Sequence, residues 1–324
     1  MKKIFLSLLL FPCCSLIAQK INYQVIKDNP KMYFHAKAGM IFDGDFNKGN
    51  NRSGYIFQGT VNLGKRFSVS AEYQTTQQKW DNVNKTAVNI VPKSPSNLSA
   101  RGTLFFQASE QKEDTRISLK KTSSSVGNYT YTNETFIYAP ATTLRKIGVT
   151  GSMGYYVNNL LDNQRYDSLF QLKDQNGNPY NSMNVATNVS GTRFSGGFQF
   201  SIIKNFVIKA QNTETGENYG KKTVKNKVDV SLEALWMPTI NIEENLILKD
   251  EFMNNNVTNL VFENKPAIQN FGYRFVVESD LVNLIGLGFR IEFGSRPGIA
   301  FNISETGKLK NFYGAFGMHF NINK

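Results

Sequence analysis

Residues 285–293 read Ile-Gly-Leu-Gly-Phe-Arg-Ile-Glu-Phe, and this stretch decides the fold class. Every second residue is a large apolar side chain, and the residues between them are glycine, arginine and glutamate. Successive side chains of a β-strand point to opposite faces, so a period of two predicts a strand with one apolar and one polar face. The same alternation recurs, without sustained helical periodicity, in residues 66–74, 146–155, 193–202, 228–236 and 312–322. The sequence therefore predicts an all-β protein.

Alternation of apolar and polar residues occurs both in membrane barrels and in soluble sandwiches, so it cannot separate the two. The composition of the polar face can. Small residues such as Gly286 and Gly288 recur on the polar face, which suits a curved wall around a narrow interior. Several runs last ten or so residues, close to the roughly 9–11 that a tilted strand needs to cross a bilayer. We therefore expect these apolar side chains to face outward: Phe67, Val69, Phe198, Phe200, Trp236, Leu287, Phe289, Phe316 and Phe320.

The connectors between these runs alternate in length, as they do in outer-membrane barrels. The long ones are residues 42–53, 76–97, 160–183 and 213–225, and the short ones are 64–65, 110–113, 203–205 and 238–241. A modest connector at 123–128 and a compact turn at 139–142 lie between them. This pattern predicts a closed antiparallel transmembrane barrel of about fourteen strands (twelve to sixteen), formed by residues 20–324 as one domain.

The N-terminus has the pattern of a cleaved secretory signal peptide over residues 1–19. Lys2 and Lys3 supply the positive region, and residues 4–17 are mostly apolar. Both cysteines, Cys13 and Cys14, lie inside this segment, so the expected mature chain has no thiol for a disulfide or metal. Cleavage lowers the formal charge from +12 to +10.

The signal peptide, the alternating strands and the aromatic-rich segment 312–322 together resemble Gram-negative outer-membrane β-barrel proteins of the porin-like kind. The resemblance implies the outer membrane of a Gram-negative cell as the location, and outer-membrane lipids as the surroundings of the barrel. It covers residues 32–322 and identifies no subfamily.

The polar faces carry an excess of positive charge. Ten basic residues are predicted to face the lumen, namely Lys37, Arg66, Arg101, Arg116, Lys120, Lys146, Arg193, Lys209, Arg274 and Arg290. Five acidic residues accompany them, namely Glu72, Asp229, Glu233, Glu278 and Glu292. A lumen of one predominant sign concentrates counter-ions, so we expect a channel for small solutes with anion preference.

The alternative is that arginines and glutamates pair and brace a closed barrel. Such a barrel would serve as a structural or accessory subunit of an envelope complex. The aromatic-containing loops 76–97 and 158–183 could then dock the partner.

The sequence predicts no enzyme, catalytic residue, cofactor or metal site. Barrel lipid hydrolases carry a His-x-Ser pair, whereas Lys37 and Asn321 follow His35 and His319 at that position. The two histidines lie in the first and last strands, so closure of the barrel could bring them together at the seam. The favoured interpretation is that they are two unrelated lumen residues separated by the shear of the barrel, rather than a metal or catalytic pair, and no carboxylate at ligand spacing accompanies them. The lysines form no basic cluster, so no nucleic-acid partner is expected.

Overall fold

A computed structural model describes residues 20–31, 34–45, 50–78, 96–162, 172–174, 176–180, 185–243, 246–249, 257–262, 268–281, 286–299 and 312–322. The predicted signal peptide, residues 1–19, lies outside the described residues. The strands are β1 (Ile21–Asp28), β2 (Phe34–Asp45), β3 (Asn50–Leu63), β4 (Phe67–Gln78), β5 (Ser96–Val126), β6 (Tyr129–Asp162), β7 (Leu172–Asp174), β8 (Pro179–Tyr180), β9 (Val185–Asn212), β10 (Asn218–Trp236), β11 (Asn241–Ile242), β12 (Leu246–Lys249), β13 (Val257–Phe262), β14 (Ile268–Gln269), β15 (Phe271–Leu281), β16 (Leu287–Ser295), β17 (Gly298–Ile299) and β18 (Phe312–Asn321). Within these ranges no helix is long and apolar enough to cross a membrane.

Ten strands form a closed antiparallel ring. The order around it is β9, β10, β15, β16, β18, β2, β3, β4, β5 and β6, and β6 pairs with β9 to complete the circle. The seam between the first and last ring strands runs from Tyr313↔Asp45 to Asn321↔Lys37. β1 and β11 pair with β9 outside the ring. β12, β13, β7 and β8 form a separate small sheet, and β14 pairs with β17.

The ring is apolar outside and polar inside. Phe198 is 64 % exposed on the outer face, and Phe67, Val69, Trp236, Leu287, Phe316 and Phe320 are also exposed. Phe200 and Phe289 are half-buried on the same face, so the predicted outward orientation is confirmed. On the inner face Lys37, Glu233, Arg274 and Arg290 are almost fully buried. A closed ring with this distribution is typical of transmembrane β-barrels, in which lipid surrounds the apolar face.

The predicted count of about fourteen strands, with twelve to sixteen as its range, is wrong. β5, β6 and β9 contain 31, 34 and 28 residues. The sequence pattern predicts a connector within each of them and so counts each as two strands. The expected connectors at 110–113, 139–142 and 203–205 lie inside these continuous strands. These segments mark the level at which the strands leave the ring. Residues 110–113 are polar because the strand is largely exposed there, and Pro140 lies between Ala139 and Ala141, which are buried in a continuous strand.

Beyond that level four ring strands and β1 form a second unit, which we call the extension (residues 21–28, 105–142 and 205–225). The β6–β9 ladder stops at Thr143↔Lys204, and β1 then pairs with β9 in place of β6. The hairpins β5–β6 and β9–β10 pack against each other around Ile117, Leu119, Ala139, Ala141, Phe206, Ile208, Ala210 and Val224. The Asp28 carboxylate ties β1 to β6 by accepting hydrogen bonds from the Thr142 backbone N (2.8 Å) and Oγ1 (2.7 Å).

The buried face of the extension is the outer face of the ring, continued. Along β9, Phe198 faces outward in the ring, and Phe206 and Ile208, on the same face of the same strand, are buried in the extension. Along β6, outward Val149 is continued by buried Ala141 in the same way. The β6–β9 register has no bulge, so one uninterrupted alternation serves both units.

Candidate functional site

Three arginines and three glutamates form a layer across the middle of the barrel, which we call the central layer (Glu72, Arg101, Glu233, Arg274, Arg290 and Glu292). Arg290 on β16 donates from Nη1 to Glu72 Oε2 on β4 (2.6 Å) and from Nη2 to Glu292 Oε2 (2.7 Å). β16 and β4 are four strands apart in a ring of ten, so this ion pair spans the lumen.

Glu233 connects the other side of the central layer. Its Oε2 accepts a hydrogen bond from Arg274 Nη2 (2.7 Å), and its Oε1 lies 2.8 Å from Arg101 Nη2. Arg274 Nη1 lies 4.0 Å from Glu292 Oε1, which also accepts a hydrogen bond from the Tyr313 hydroxyl (2.6 Å). Six of the ten ring strands, β4, β5, β10, β15, β16 and β18, are therefore joined at one level by charged hydrogen bonds and ion pairs, and charged hydrogen bonds are the stronger class of such bonds.

Two small cavities contact the central layer. One, of about 30 Å³, reaches Arg274 and Glu292 together with Arg52, Tyr156 and Arg193. The other, of about 40 Å³, reaches Arg101 and Arg290 together with Lys146, Lys227 and Asp229. A water molecule needs about 10–15 Å³ of such space, so each cavity holds only a few waters.

A second group of polar side chains lies at the seam of the ring, and we call it the seam cluster (His35, Lys37, Glu278, Asp280 and His319). Asp280 Oδ1 is 2.8 Å from His319 Nε2 and 3.0 Å from Lys37 Nζ, and its Oδ2 is 3.2 Å from His35 Nε2. Lys37 also forms an ion pair with Glu278. All five residues are buried.

The structure thus brings the two predicted seam histidines onto one carboxylate. The expectation that no carboxylate accompanies them is wrong, because Asp280 comes from β15, two strands away from β18 in the ring. Ligand atoms of Glu278, Asp280 and His319 lie within 4.8 Å of one another, so this cluster has the donors to hold a metal ion.

The predicted lumen residues divide into two groups. Lys37, Glu72, Arg101, Arg193, Glu233, Arg274, Arg290 and Glu292 lie on the inner face, as do Lys146, Asp229 and Glu278. Arg66 is exposed in the β3–β4 turn, and Lys209 is exposed on the extension. Arg116 and Lys120 also lie on the extension, half exposed, and pair with Glu134 and Glu217 at 2.7 Å each. The assignment of these four residues to the lumen is wrong. Arg66 lies in a turn at the end of the ring, and the strands that carry Arg116, Lys120 and Lys209 have left the ring at those positions.

Sequence reasoning missed several inner-face charges that alternation could have found. Asp280 follows Arg274 and Glu278 at even positions of β15, and Lys227 precedes Asp229 at odd positions of β10. Among the described residues, the inner face then includes nine cations, namely Lys37, Arg52, Arg101, Lys146, Arg193, Lys227, Arg274, Arg290 and Arg296. In the same described part of the chain it includes seven anions, namely Asp43, Glu72, Asp229, Glu233, Glu278, Asp280 and Glu292. The excess among these residues is two rather than the predicted five.

Most of the loop segments predicted to dock a partner, within 76–97 and 158–183, lie outside the described residues. Their described parts are strand ends, β7 and β8.

Comparison with known proteins gives only remote similarity. No family model and no curated protein matches the chain. Among solved structures, OprB of Pseudomonas putida at high pH is similar with 7 % identity over 95 % of each chain and a TM-score of 0.23. OpdK of Pseudomonas aeruginosa with vanillate is similar with 7 % identity over 89 % of this chain and 98 % of that chain, and a TM-score of 0.15. Scores of this size support no inference about the function of this protein.

Proposed function

We propose that the protein is an outer-membrane β-barrel with a closed lumen, which serves as a structural or accessory subunit of an envelope complex. The observation that carries the proposal is the central layer, which joins opposite walls of a ten-stranded ring. Barrels of about eight strands are filled by their own side chains, whereas porins of about 16–18 strands enclose an aqueous channel. Ten strands with paired charges belong near the filled end of that range. On this proposal, the protein is not an enzyme.

The lengths of the connectors support an orientation in the outer membrane. Residues 79–95, 163–184, 237–270 and 296–311 join ring strands at one end, whereas turns such as 64–66 and 213–217 join them at the other. In outer-membrane barrels the longer connectors face outward from the cell and the short turns face the periplasm. The extension then stands in the periplasm, reached by a mature chain of residues 20–324 after signal-peptide cleavage.

The extension supports a role in assembly, because a solute channel has no need of it. It has an apolar core of its own, and its tip carries exposed Val126, Tyr129 (73 % exposed) and Tyr131. Exposed aromatic side chains are enriched in protein interfaces. We propose that this periplasmic tip, rather than only the loops 76–97 and 158–183, contacts the partner.

Planar-bilayer recording of the refolded protein tests the closed lumen. We expect no conductance steps from the natural protein, and steps from the double variant Glu72→Ala/Arg290→Ala, which removes the link between β4 and β16. The control is Arg116→Ala/Lys209→Ala, which removes two charges outside the ring and should stay silent. Heat-dependent mobility on gels confirms that each variant has folded as a barrel. Steady conductance from the natural protein would refute the proposal.

A porin-like channel is the second candidate, favoured by the cavities that contact the central layer and by the cation excess of the inner face. Here the central layer acts as a gate, and positive charge in a low-dielectric wall selects anions. Reversal potentials should then favour chloride over potassium, less so at high salt, since the screening length is about 8 Å at physiological ionic strength. Arg274→Glu/Arg290→Glu should reduce that preference, and a cation-selective natural protein would contradict it.

A further inference from the structure

We propose that the seam cluster is a binding site for one divalent transition-metal ion of the zinc class, which joins the first and last strands of the ring. The ligands are His35 Nε2 from β2, His319 Nε2 from β18 and the Asp280 carboxylate from β15. Imidazole and carboxylate are ligands that zinc commonly takes in proteins.

Both histidines already contact the proposed carboxylate ligand. His319 Nε2 and His35 Nε2 lie 2.8 Å and 3.2 Å from the two oxygens of the same Asp280 carboxylate. Ligands of a tetrahedral zinc ion stand about 3.3 Å apart when the bonds are about 2.0–2.1 Å long. Ligand atoms of Glu278, Asp280 and His319 lie within 4.8 Å of one another, a group that does not include His35. The His35 side chain must therefore move toward His319 for both imidazoles to bind one ion.

The cluster has hydrogen-bonding capacity that nothing in the described structure uses. Asp280 Oδ2, His35 Nδ1 and Asn321 Nδ2 are buried without a hydrogen-bond partner, and Asp280 and His35 are only 1 % and 3 % exposed. Unsatisfied buried polar groups are rare in native proteins and call for an explanation such as an ion. His35 Nε2 now donates to Asn321 Oδ1 (2.6 Å). Moving that proton to the free Nδ1 leaves a neutral imidazole with its Nε2 lone pair available.

The backbone provides room for this arrangement through a row of four residues. Asp280 pairs with Gly288, Gly288 with His319, and His319 with Gly39, on four successive strands. A methyl group at Gly288 would overlap His319 Nε2 and the Ser279 carbonyl oxygen. Glycine at this position therefore lets the His319 ring reach across β16 to Asp280.

The charge balance also favours a cation. Asp280 and Glu278 together carry two negative charges, and Lys37 supplies one positive charge. Arg290 also lies 3.7 Å from Glu278, but it is closer to Glu72 and Glu292, at 2.6 Å and 2.7 Å. The neighbouring Lys227 and Asp229 neutralise each other at 2.7 Å. Lys37 occupies part of the space around Asp280, so it competes with the metal and lowers the affinity. The cavity of about 40 Å³ is lined by Glu278 and Lys227, so the cluster borders a small polar space.

The composition makes the site easy to test. The chain has two histidines, both in the seam cluster, and two cysteines, both inside the predicted signal peptide. Any imidazole bound to a metal in the mature protein is therefore His35 or His319. The experiment uses residues 20–324 folded in detergent, with Co²⁺ and Zn²⁺ as probes and Mg²⁺ as the control.

We expect one Co²⁺ per chain with the visible absorption of a tetrahedral site, displaced by Zn²⁺ and unaffected by Mg²⁺. His35→Gln and His319→Gln should each weaken binding about 100-fold, at the upper end of the effects seen for metal-site supporting residues. Lys37→Met should strengthen binding, because it removes the competing cation, whereas Lys209→Met, on the exposed extension, should change nothing. Zn²⁺ should raise the unfolding temperature of the natural protein and of Lys37→Met, but not of the histidine variants.

A measurement on the unaltered protein guards against variants that fail to fold. Electron paramagnetic resonance of bound Cu²⁺ should show hyperfine coupling to two imidazole nitrogens. An oxygen-only spectrum, no stoichiometric Co²⁺ binding, or binding that survives loss of both histidines would each overturn the proposal.

Discussion

The ring and the extension are built from the same strands and the same alternation, yet they bury opposite kinds of surface. On β9, Phe198 is 64 % exposed in the ring, and Phe206, eight residues further along the same face, is completely buried in the extension. Within the ring the face opposite Phe198 carries Arg193 and encloses charge. The difference teaches that a period of two specifies which residues share a face, and the surroundings decide whether that face meets lipid or another sheet.

The two regions also rely on different sources of stability. In the extension, apolar side chains leave water by packing on each other, which contributes about 25 cal/mol for each Å² buried. In the ring, the apolar face leaves water only when lipid covers it, and the interior depends on buried charges being paired. Each region should therefore respond to a substitution that the other tolerates.

The largest effect is expected from Phe206→Ala in the extension. Removing a fully buried phenylalanine costs about 3–5 kcal/mol, because the lost contacts leave a cavity. We expect the hairpin at 105–142 to become sensitive to protease while the ring keeps its heat-dependent gel mobility. Phe136→Ala, on the exposed face of the same hairpin, is the matched control and should remain resistant. Joint unfolding of ring and extension would show that they are one cooperative unit.

A smaller effect is expected from Phe198→Lys on the outer face of the ring. A lysine in contact with lipid costs about 2–4 kcal/mol at the bilayer midplane, whereas substitutions at exposed, solvated positions mostly stay within about 0.5 kcal/mol. Phe136→Lys in the extension makes the same change at a position that is also exposed. Urea titration of folding into lipid vesicles should separate the two variants, and equal losses would argue against a lipid-facing ring.

The smallest effect concerns acidification of the extension. A hydrogen bond from Lys204, aided by one from the Thr143 hydroxyl (2.9 Å), holds the pKa of Glu113 below its usual 4.5. A carboxyl group with a depressed pKa in the folded state stabilises the fold above its unfolded pKa. That contribution is lost as the pH falls below 4.5 and through the folded value. Protease resistance of the hairpin should therefore decline over that range, and less steeply in Glu113→Gln.

The alternation in the sequence was sufficient to predict strands and the residues that share a face, because both follow from local geometry. The barrel and its outward residues needed more, namely the small residues on the polar face, the length of the runs and the alternating connectors. The strand count was not predictable in the same way. Residues 110–113 are polar because the strand is solvated there, and a turn at the same place would be equally polar. Only the pairing of β5 with β6 beyond that point distinguishes the two.

The central layer and the seam cluster were predictable in part. Alternation assigned Arg274 and Glu233 to the interior. It could not predict that they form an ion pair, because that contact depends on which strands become neighbours when the ring closes. Asp280 lies two residues after Glu278 on β15, so it shares the same face and could have been assigned to the interior with it. Its contact with His35 needed the order of the ring, in which β16 and β18 separate β15 from β2.

The length of β5 and β6 has a mechanical consequence. From Gln107 to Val126 the strand continues for about 60–65 Å at about 3.3 Å per residue, and no flexible linker separates it from the wall. β5 and β6 pair continuously from Val126↔Tyr129 to Ser96↔Val157, with two bulges along the way. A load applied at the tip is therefore borne by the same hydrogen bonds that hold the wall, so the hairpin behaves as a stiff lever continuous with the ring rather than as a tethered domain.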